Sequence, residues 1–185
     1  MAVTAVTNSL LYSDESDLIK ACIEGKRSAQ AHLYHLHSAK MFGICLRYAN
    51  NYHSAEDILQ DGFIKVFQNI DRFKGSGSFE GWLKRIFINT SIEHYRKQIK
   101  IDDEPDGAVE VSDLEGIGHE NLVVQDMLNM IQTLSPGYRT VFNMYAIEGY
   151  SHKEIAEILN ITEGTSKSQL ARARMLLQKM LANKQ

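Results

Sequence analysis

The chain has little of what builds several common classes of protein. Its 185 residues include only two prolines and 9% aromatics, too few to suggest a many-stranded, turn-rich β fold. The longest apolar run is Met41 to Leu46, with Gly43 inside it. A membrane span needs about 20 such residues, so no direct membrane insertion is expected. Met1 to Asn8 holds neither a basic residue nor a long apolar block, so it does not read as a secretory signal and a cytoplasmic location is expected. Cys22 and Cys45 lack CxxC spacing and are read as reduced, buried packing residues. The sequence carries no Gly-rich phosphate loop and no plausible Ser/His/Asp set. No catalytic residue, cofactor or metal is assigned.

Charge is unevenly spread. Hydrophobic residues make up 44% and charged residues 23% of the chain, enough to bury a core, and the net charge is −3. From Ile101 to Glu120, however, eight acids stand with no Lys or Arg, which leaves the remainder at +5. Positive charge gathers on both sides of this stretch. Lys84, Arg85, Arg96, Lys97 and Lys100 precede it, and Lys167, Arg172, Arg174, Lys179 and Lys184 lie near the C-terminus, with no acid after Glu163. Two basic patches around an acidic, Gly-containing segment predict two domains and a linker. The expected division is a tail at 1–13, a first domain at 14–100, a linker at 101–120 and a second domain at 121–185.

Helical periodicity dominates, so the expected fold is all-α: two small helical domains, the second a helix-turn-helix. Helices are predicted over Asp14 to Glu24 and Arg27 to Asn50, the latter with Leu33, Leu36, Met41, Ile44, Cys45 and Tyr48 near helical spacing. Ser54 with Asp57 reads as a capping box for a third helix running to about Ile70. Asp71 to Ser78 holds Gly75 and Gly77 and is read as a loop, and a fourth helix runs from Phe79 to about Lys100. In the second half, helices are expected over about Asn121 to Thr133, from Ser135-Pro136 to Gly149, from Ser151 to about Asn160, and from Thr162 to about Leu181.

The last two helices, joined through Asn160-Ile161-Thr162, have the pattern of a helix-turn-helix. The second one opens with the slim, hydrogen-bonding residues Thr165, Ser166, Lys167, Ser168 and Gln169, as a helix entering the major groove requires. Lys167 and Gln169 suit base edges, and Arg172 and Arg174 suit phosphates. Leu170, Ala173, Leu176 and Leu177 form its core stripe. In the first half, Ala55, Ile58, Leu59, Phe63, Val66 and Ile70 share one helix face and are expected in the core. The opposite face carries Asp57, Gln60, Asp61 and Gln68 around Ile64. Taken alone, this reads as a solvated face with a stray isoleucine. In the fourth helix Trp82, Arg85, Asn89, Glu93 and Arg96 form one stripe, while Leu83, Ile86, Phe87 and Thr90 pack inward. A ring, two guanidinium groups and an amide suit single-stranded or partly melted DNA, although Trp82 by itself fits a core position equally well. The loop from Phe73 to Ser78 is small enough to wrap a flipped base.

Together these segments resemble a known family. Ser54-Ala-Glu-Asp-Ile-Leu-Gln-Asp-Gly-Phe63, Phe79-Glu-Gly-Trp-Leu-Lys-Arg-Ile, Asn89 and Arg96 resemble the −10-binding domain of bacterial sigma factors. Leu134-Ser-Pro-Gly-Tyr-Arg, Tyr150-Ser-His-Lys-Glu-Ile-Ala and Gly164-Thr-Ser-Lys-Ser-Gln-Leu-Ala-Arg-Ala-Arg174 resemble their −35-binding domain. Two such domains and a short linker look like the extracytoplasmic-function (ECF) group. The resemblance implies promoter-specific transcription initiation with no catalysis by the chain itself. Asp57, Gln60, Asp61 and Ile64 would bind the largest subunit of core RNA polymerase. The loop with Lys74 and Ser76, and the stripe Trp82, Arg85, Asn89 and Arg96, would capture the melted −10 element. Thr165, Ser166, Lys167, Ser168, Gln169, Arg172 and Arg174 would lie at the −35 element. An anti-sigma factor is an implied partner. Ser166 and Gln169 stand where the family commonly has Val and Arg, and Gln favours adenine over guanine.

Two rival readings start from the same residues. A stand-alone helix-turn-helix regulator would bind duplex DNA by itself, but its first half would have no use for a DNA-suited stripe. A metalloenzyme would use His32, His35 and His37, but His37 lies well round the helix from the other two and no carboxylate at ligand spacing accompanies them.

Overall fold

A computed structural model describes residues 12–101 and 122–183. Residues 102–120 of the predicted acidic linker, residues 1–11 of the predicted tail, and Lys184 lie outside the described residues. Within them every regular element is a helix or helical turn. The first half holds α1 (Glu15–Ile23), α2 (Arg27–Tyr48), α3 (Tyr52–Asn69), a 3₁₀ turn (Ile70–Arg72) and α4 (Phe79–Ile101). The second holds α5 (Leu122–Gln132), α6 (Pro136–Phe142) continuing as a π turn (Asn143–Ile147), α7 (His152–Leu159) and α8 (Glu163–Ala182).

Local chemistry sets most of the boundaries. Asp14 caps α1 by accepting from the Asp17 N–H. Thr162 caps α8 by accepting from the Thr165 N–H at 3.0 Å. Ser151 and Glu154 form a capping box: the Ser151 hydroxyl accepts from the Glu154 N–H and the Glu154 carboxylate accepts from the Ser151 N–H. The expected cap at Ser54 is a correction. Asn51 is the extended residue before α3, and its side-chain oxygen accepts from the Ser54 N–H at 2.8 Å. Ser54 therefore sits inside the first turn, and no capping box forms with Asp57.

The core of the first half is the three-way packing of α2, α3 and α4. All six apolar residues predicted inward on α3 are buried, as are Leu83, Phe87 and Thr90 on α4. Leu36 departs from its predicted core role and is 55% exposed; it falls on the far side of Leu33 from Ile44 and Cys45, outside the arc that α3 and α4 cover. Both cysteines are buried and unpaired, and burial raises their thiols to about 11 at Cys22 and about 12 at Cys45. His32 and His37 are engaged with rings, His32 stacked on Tyr12 and His37 edge-on to Phe79.

The approach of α3 to α4 requires a missing side chain. A Cβ on Gly62 would stand 2.2 Å from the Phe87 ring, which is itself buried and packed edge-on to Phe63. Gly62→Ala should therefore cost about 1–3 kcal/mol through overpacking, read as a lowered urea midpoint.

The two halves also pack on each other, through α2 with α5 and α6, and α4 with α6. The Arg47 guanidinium pairs with Glu148 at 2.8 Å. Burial raises the Glu148 carboxyl above its ordinary range, and Arg47 only partly opposes this. The folded state thus holds a proton there more readily than the unfolded chain. The resulting stabilisation is present below about pH 4.5 and lost as pH rises through the raised value. Glu148→Gln removes that titration. Its urea midpoint, measured relative to the natural chain, should therefore climb between about pH 4.5 and neutrality.

Candidate nucleic-acid interface

The α3–α4 pair carries two surfaces. On the outer face of α3, Asp57, Gln60 and Ile64 are exposed, Ile64 to 53%. Asp61, also on this face, is partly committed inward: its carboxylate meets His94 Nε2 of α4 at 2.8 Å.

Beside this face a groove of about 300 Å³ runs between the end of α3 and the middle of α4. It is lined by Lys65, Asn69, Arg72, Trp82, Ile86, Asn89, Thr90 and Glu93. Trp82 is half-buried and stacks on Phe79 at 5.5 Å and 23°, so it packs against the core and lines the groove at once. Of the predicted −10 residues the structure brings Trp82 and Asn89 into this groove. Arg85 and Arg96 are exposed on α4 outside its lining, and Lys74 and Ser76 are exposed in the preceding loop. Gly75 and Gly77 give that loop positive φ values of 71° and 100°, which glycine adopts without strain.

Lys65, Asn69 and Arg72 were absent from the predicted site. Their spacing of four and three continues the α3 stripe into the 3₁₀ turn, and this was the available signal. The Lys65 ammonium pairs with Glu93 at 2.6 Å across the groove, whereas Arg72 has no ion pair among the described residues. The basic patch is smaller than the sequence suggests, because Glu80 pairs with both Lys40 (2.7 Å) and Lys84 (2.9 Å). The hydrogen bond from Lys40, then that from Lys84, draws the Glu80 carboxyl down to about 2.

In the second half, α7 and α8 are joined through Asn160, whose φ of 56° and ψ of 48° are left-handed. Packing on α6 and α7 buries Leu170 and Ala173 of α8. This leaves Lys167, Ser168, Arg172 and Arg174 exposed and Thr165 partly so. Arg172 donates to the Tyr138 hydroxyl at 3.0 Å, and the Arg174 guanidinium lies over the Tyr145 ring at 5.6 Å.

Two predicted −35 residues need correction. Ser166 is fully buried, with its hydroxyl 2.9 Å from His152 Nδ1, so it holds α8 against α7 and does not face solvent. Gln169 is half-buried and its side-chain oxygen has no partner. Its amide nitrogen turns toward Gly137 at the start of α6, so in this conformation it is withdrawn from a groove-facing position.

Among the described residues, no three His, Cys, Asp or Glu side chains are grouped to hold a metal ion, and no helix is long and apolar enough to cross a membrane.

Comparison with known proteins gives this geometry a family. Residues 33–100 match sigma-70 region 2 and residues 125–177 match sigma-70 region 4. The chain is 36% identical over 181 residues to the ECF RNA polymerase sigma factor SigW of Bacillus subtilis, covering 88% of this chain and 94% of that protein. It is 31% identical over 152 residues to the ECF sigma factor SigE of Mycolicibacterium smegmatis, covering 79% of this chain and 59% of that one. Among solved structures it is similar to CnrH in complex with the cytosolic domain of CnrY (TM-score 0.47, 20% identity, 91% and 97% covered). It is also similar to RpoE in complex with the anti-sigma factor NepR from Bartonella quintana (TM-score 0.48, 24% identity, 82% and 96% covered). With both regions in order and this identity over nearly the whole length, the chain belongs to the ECF group of RNA polymerase sigma factors.

Proposed function

We propose that this sigma factor lends core RNA polymerase a two-point promoter reading. The observation that carries it is the pairing, in one chain, of a ring-and-amide groove on α4 with an acid-poor helix-turn-helix helix whose cations are exposed. The first half (14–100) binds polymerase through Asp57, Gln60, Asp61 and Ile64, an exposed apolar centre in an acidic surround that suits a basic helical partner. Its groove takes unstacked −10 bases. Trp82 supplies a stacking surface and Asn89 a hydrogen-bonding edge, while Arg72, Arg85 and Arg96 hold the phosphates together with Lys74 and Ser76 of the loop. The second half (121–185) places α8 in the −35 major groove, with Lys167, Ser168 and Arg172 forward and Thr165 and Arg174 at the flanks. Residues 101–120 join the two, and 1–13 form a tail.

The chain does no chemistry in this scheme. It supplies recognition and captures melted bases, and RNA synthesis belongs to polymerase. Action in the cytoplasm, and control by an anti-sigma factor, belong to the same reading and rest on the family alone.

The test is reconstitution with sigma-free core polymerase and a promoter library randomised at both elements. Co-elution and sequence-selective initiation are expected. Failure to co-elute, with duplex binding by the chain alone, would overturn the reading in favour of a stand-alone regulator. Within the same assay Trp82→Ala should weaken initiation by about 1–3 kcal/mol, the worth of one stacked base. Lys167→Ala should shift the selected −35 sequence.

Ser166→Ala should behave differently. It should lower the urea midpoint by about 1–2 kcal/mol, because His152 loses a partner, and leave the selected −35 sequence unchanged. A changed −35 preference at native stability would return Ser166 to the reading face.

A further inference from the structure

The two exposed arginines of α8 are held differently. Arg172 donates to the Tyr138 hydroxyl. Arg174 has no ion pair among the described residues, and its guanidinium lies over the Tyr145 ring, 5.6 Å from the centroid. That is within the range over which a cation is drawn to a ring face. A ring takes up none of the cation's charge. Carboxylates do: those of Glu93 and Glu80 already pair with Lys65, Lys40 and Lys84. Arg174 is therefore oriented while still fully charged, with N–H donors left for a phosphate.

Tyr145 is itself fixed. It lies on the π turn after α6, outside the α7–α8 pair, half-buried and packed against the apolar core. Its ring stacks on that of His152, the first residue of α7, with centroids 4.4 Å apart and planes at 22°. His152 Nδ1 in turn meets the hydroxyl of the fully buried Ser166 at 2.9 Å. The contacts leave α8 at Ser166, pass through α7 and the π turn, and return to α8 at Arg174, about two turns further on. An arginine loses rotamer freedom when it grips a phosphate, and one already set against a ring loses less.

We infer that Tyr145 is a positioning residue for the −35 contact: its ring, fixed by His152, holds the Arg174 guanidinium ready for a DNA phosphate. The inference rests on the promoter-reading function proposed above, in which Arg174 flanks the face of α8 that enters the groove. Tyr145 then adds affinity without sequence preference, because phosphate contacts set register and carry no base information.

The test uses the full chain on core polymerase and a promoter recovered from the randomised library. The holoenzyme's affinity for that promoter is measured against salt for Tyr145→Leu, Tyr145→Phe, Arg174→Gln and the Leu/Gln double variant, with helix content followed by circular dichroism. Arg174→Gln should reduce the salt slope by about 0.9, one phosphate contact. Tyr145→Leu should weaken binding about two- to fivefold, the worth of an exposed cation–π contact, and leave the selected −35 sequence unchanged. Tyr145→Phe keeps the ring and should restore the natural affinity. In the double variant the leucine should add no further loss, since the two residues act as a unit.

A Tyr145→Leu loss of equal size with and without Arg174 would overturn the inference, because a purely structural ring behaves that way. So would a Tyr145→Leu variant that binds as the natural chain does, a Tyr145→Phe loss as large as that of leucine, or an Arg174→Gln change without effect. If Tyr145→Leu loses helix content, Tyr145→Met decides by the same readings. If both lose it, the ring belongs to the fold and the positioning role is refuted. Lys167→Ala separates these failures from failure of the underlying reading. A shifted −35 choice there, with Tyr145 and Arg174 uncoupled, sinks only the positioning role, whereas an unshifted choice sinks the −35 reading itself.

Discussion

Everything in this molecule is arranged about the unfinished end of one helix. The C-terminal carbonyls of α2 accept from side chains 86, 90 and 96 residues further along the chain. That demand accounts for the buried polar side chains of the second half that face α2. In the first half, Thr90 and Ser91 are buried and satisfied within α4, each bonding the carbonyl four residues before it. In the second half, Gln132, Arg139 and Asn143 are buried and their donors face α2. The π turn after α6 serves the same junction, because it carries Asn143 and leads directly to Glu148, the partner of Arg47. Apolar packing follows the same route. Val141, Met144, Ile155, Leu159 and Leu170 join the buried cluster of the first half, so the apolar core runs unbroken across the junction.

The helices themselves were legible because their signals are local. Caps such as Thr162, the Ser151–Glu154 pair, the left-handed Asn160 and the inward stripe of α3 are written within a few residues of where they act. The misplaced start of α3 shows the limit of such signals. Asn51-x-x-Ser54 and Ser54-x-x-Asp57 are equally good patterns, and only the extended backbone at Asn51 decides between them. Leu36 failed for a related reason: periodicity gives a face, but the width of the covering partner decides where that face ends. The junction was not legible at all, since no local pattern in Gln132, Arg139 or Asn143 points to carbonyls so far away in sequence.

The site divided along the same line. Residues recognised by helical spacing, such as Trp82 and Asn89, do meet in one groove, and Ile64 does stand exposed on an acidic face. Lys65, Asn69 and Arg72 were missed because they reach the groove from a second element. Ser166 was misread because a short polar side chain looks alike in sequence whether it turns out to water or inward to a histidine. Only the packing of α8 on α7 separates the two.

The absent side chain at Gly62 has a mechanical consequence. With Phe87 filling the space where a Cβ would stand, and with Lys65–Glu93 and Asp61–His94 bridging the same two helices, α3 and α4 have little freedom to slide or hinge against each other. They behave as one beam. A load applied to the outer face of α3 is carried to the groove wall on α4 without an intervening joint.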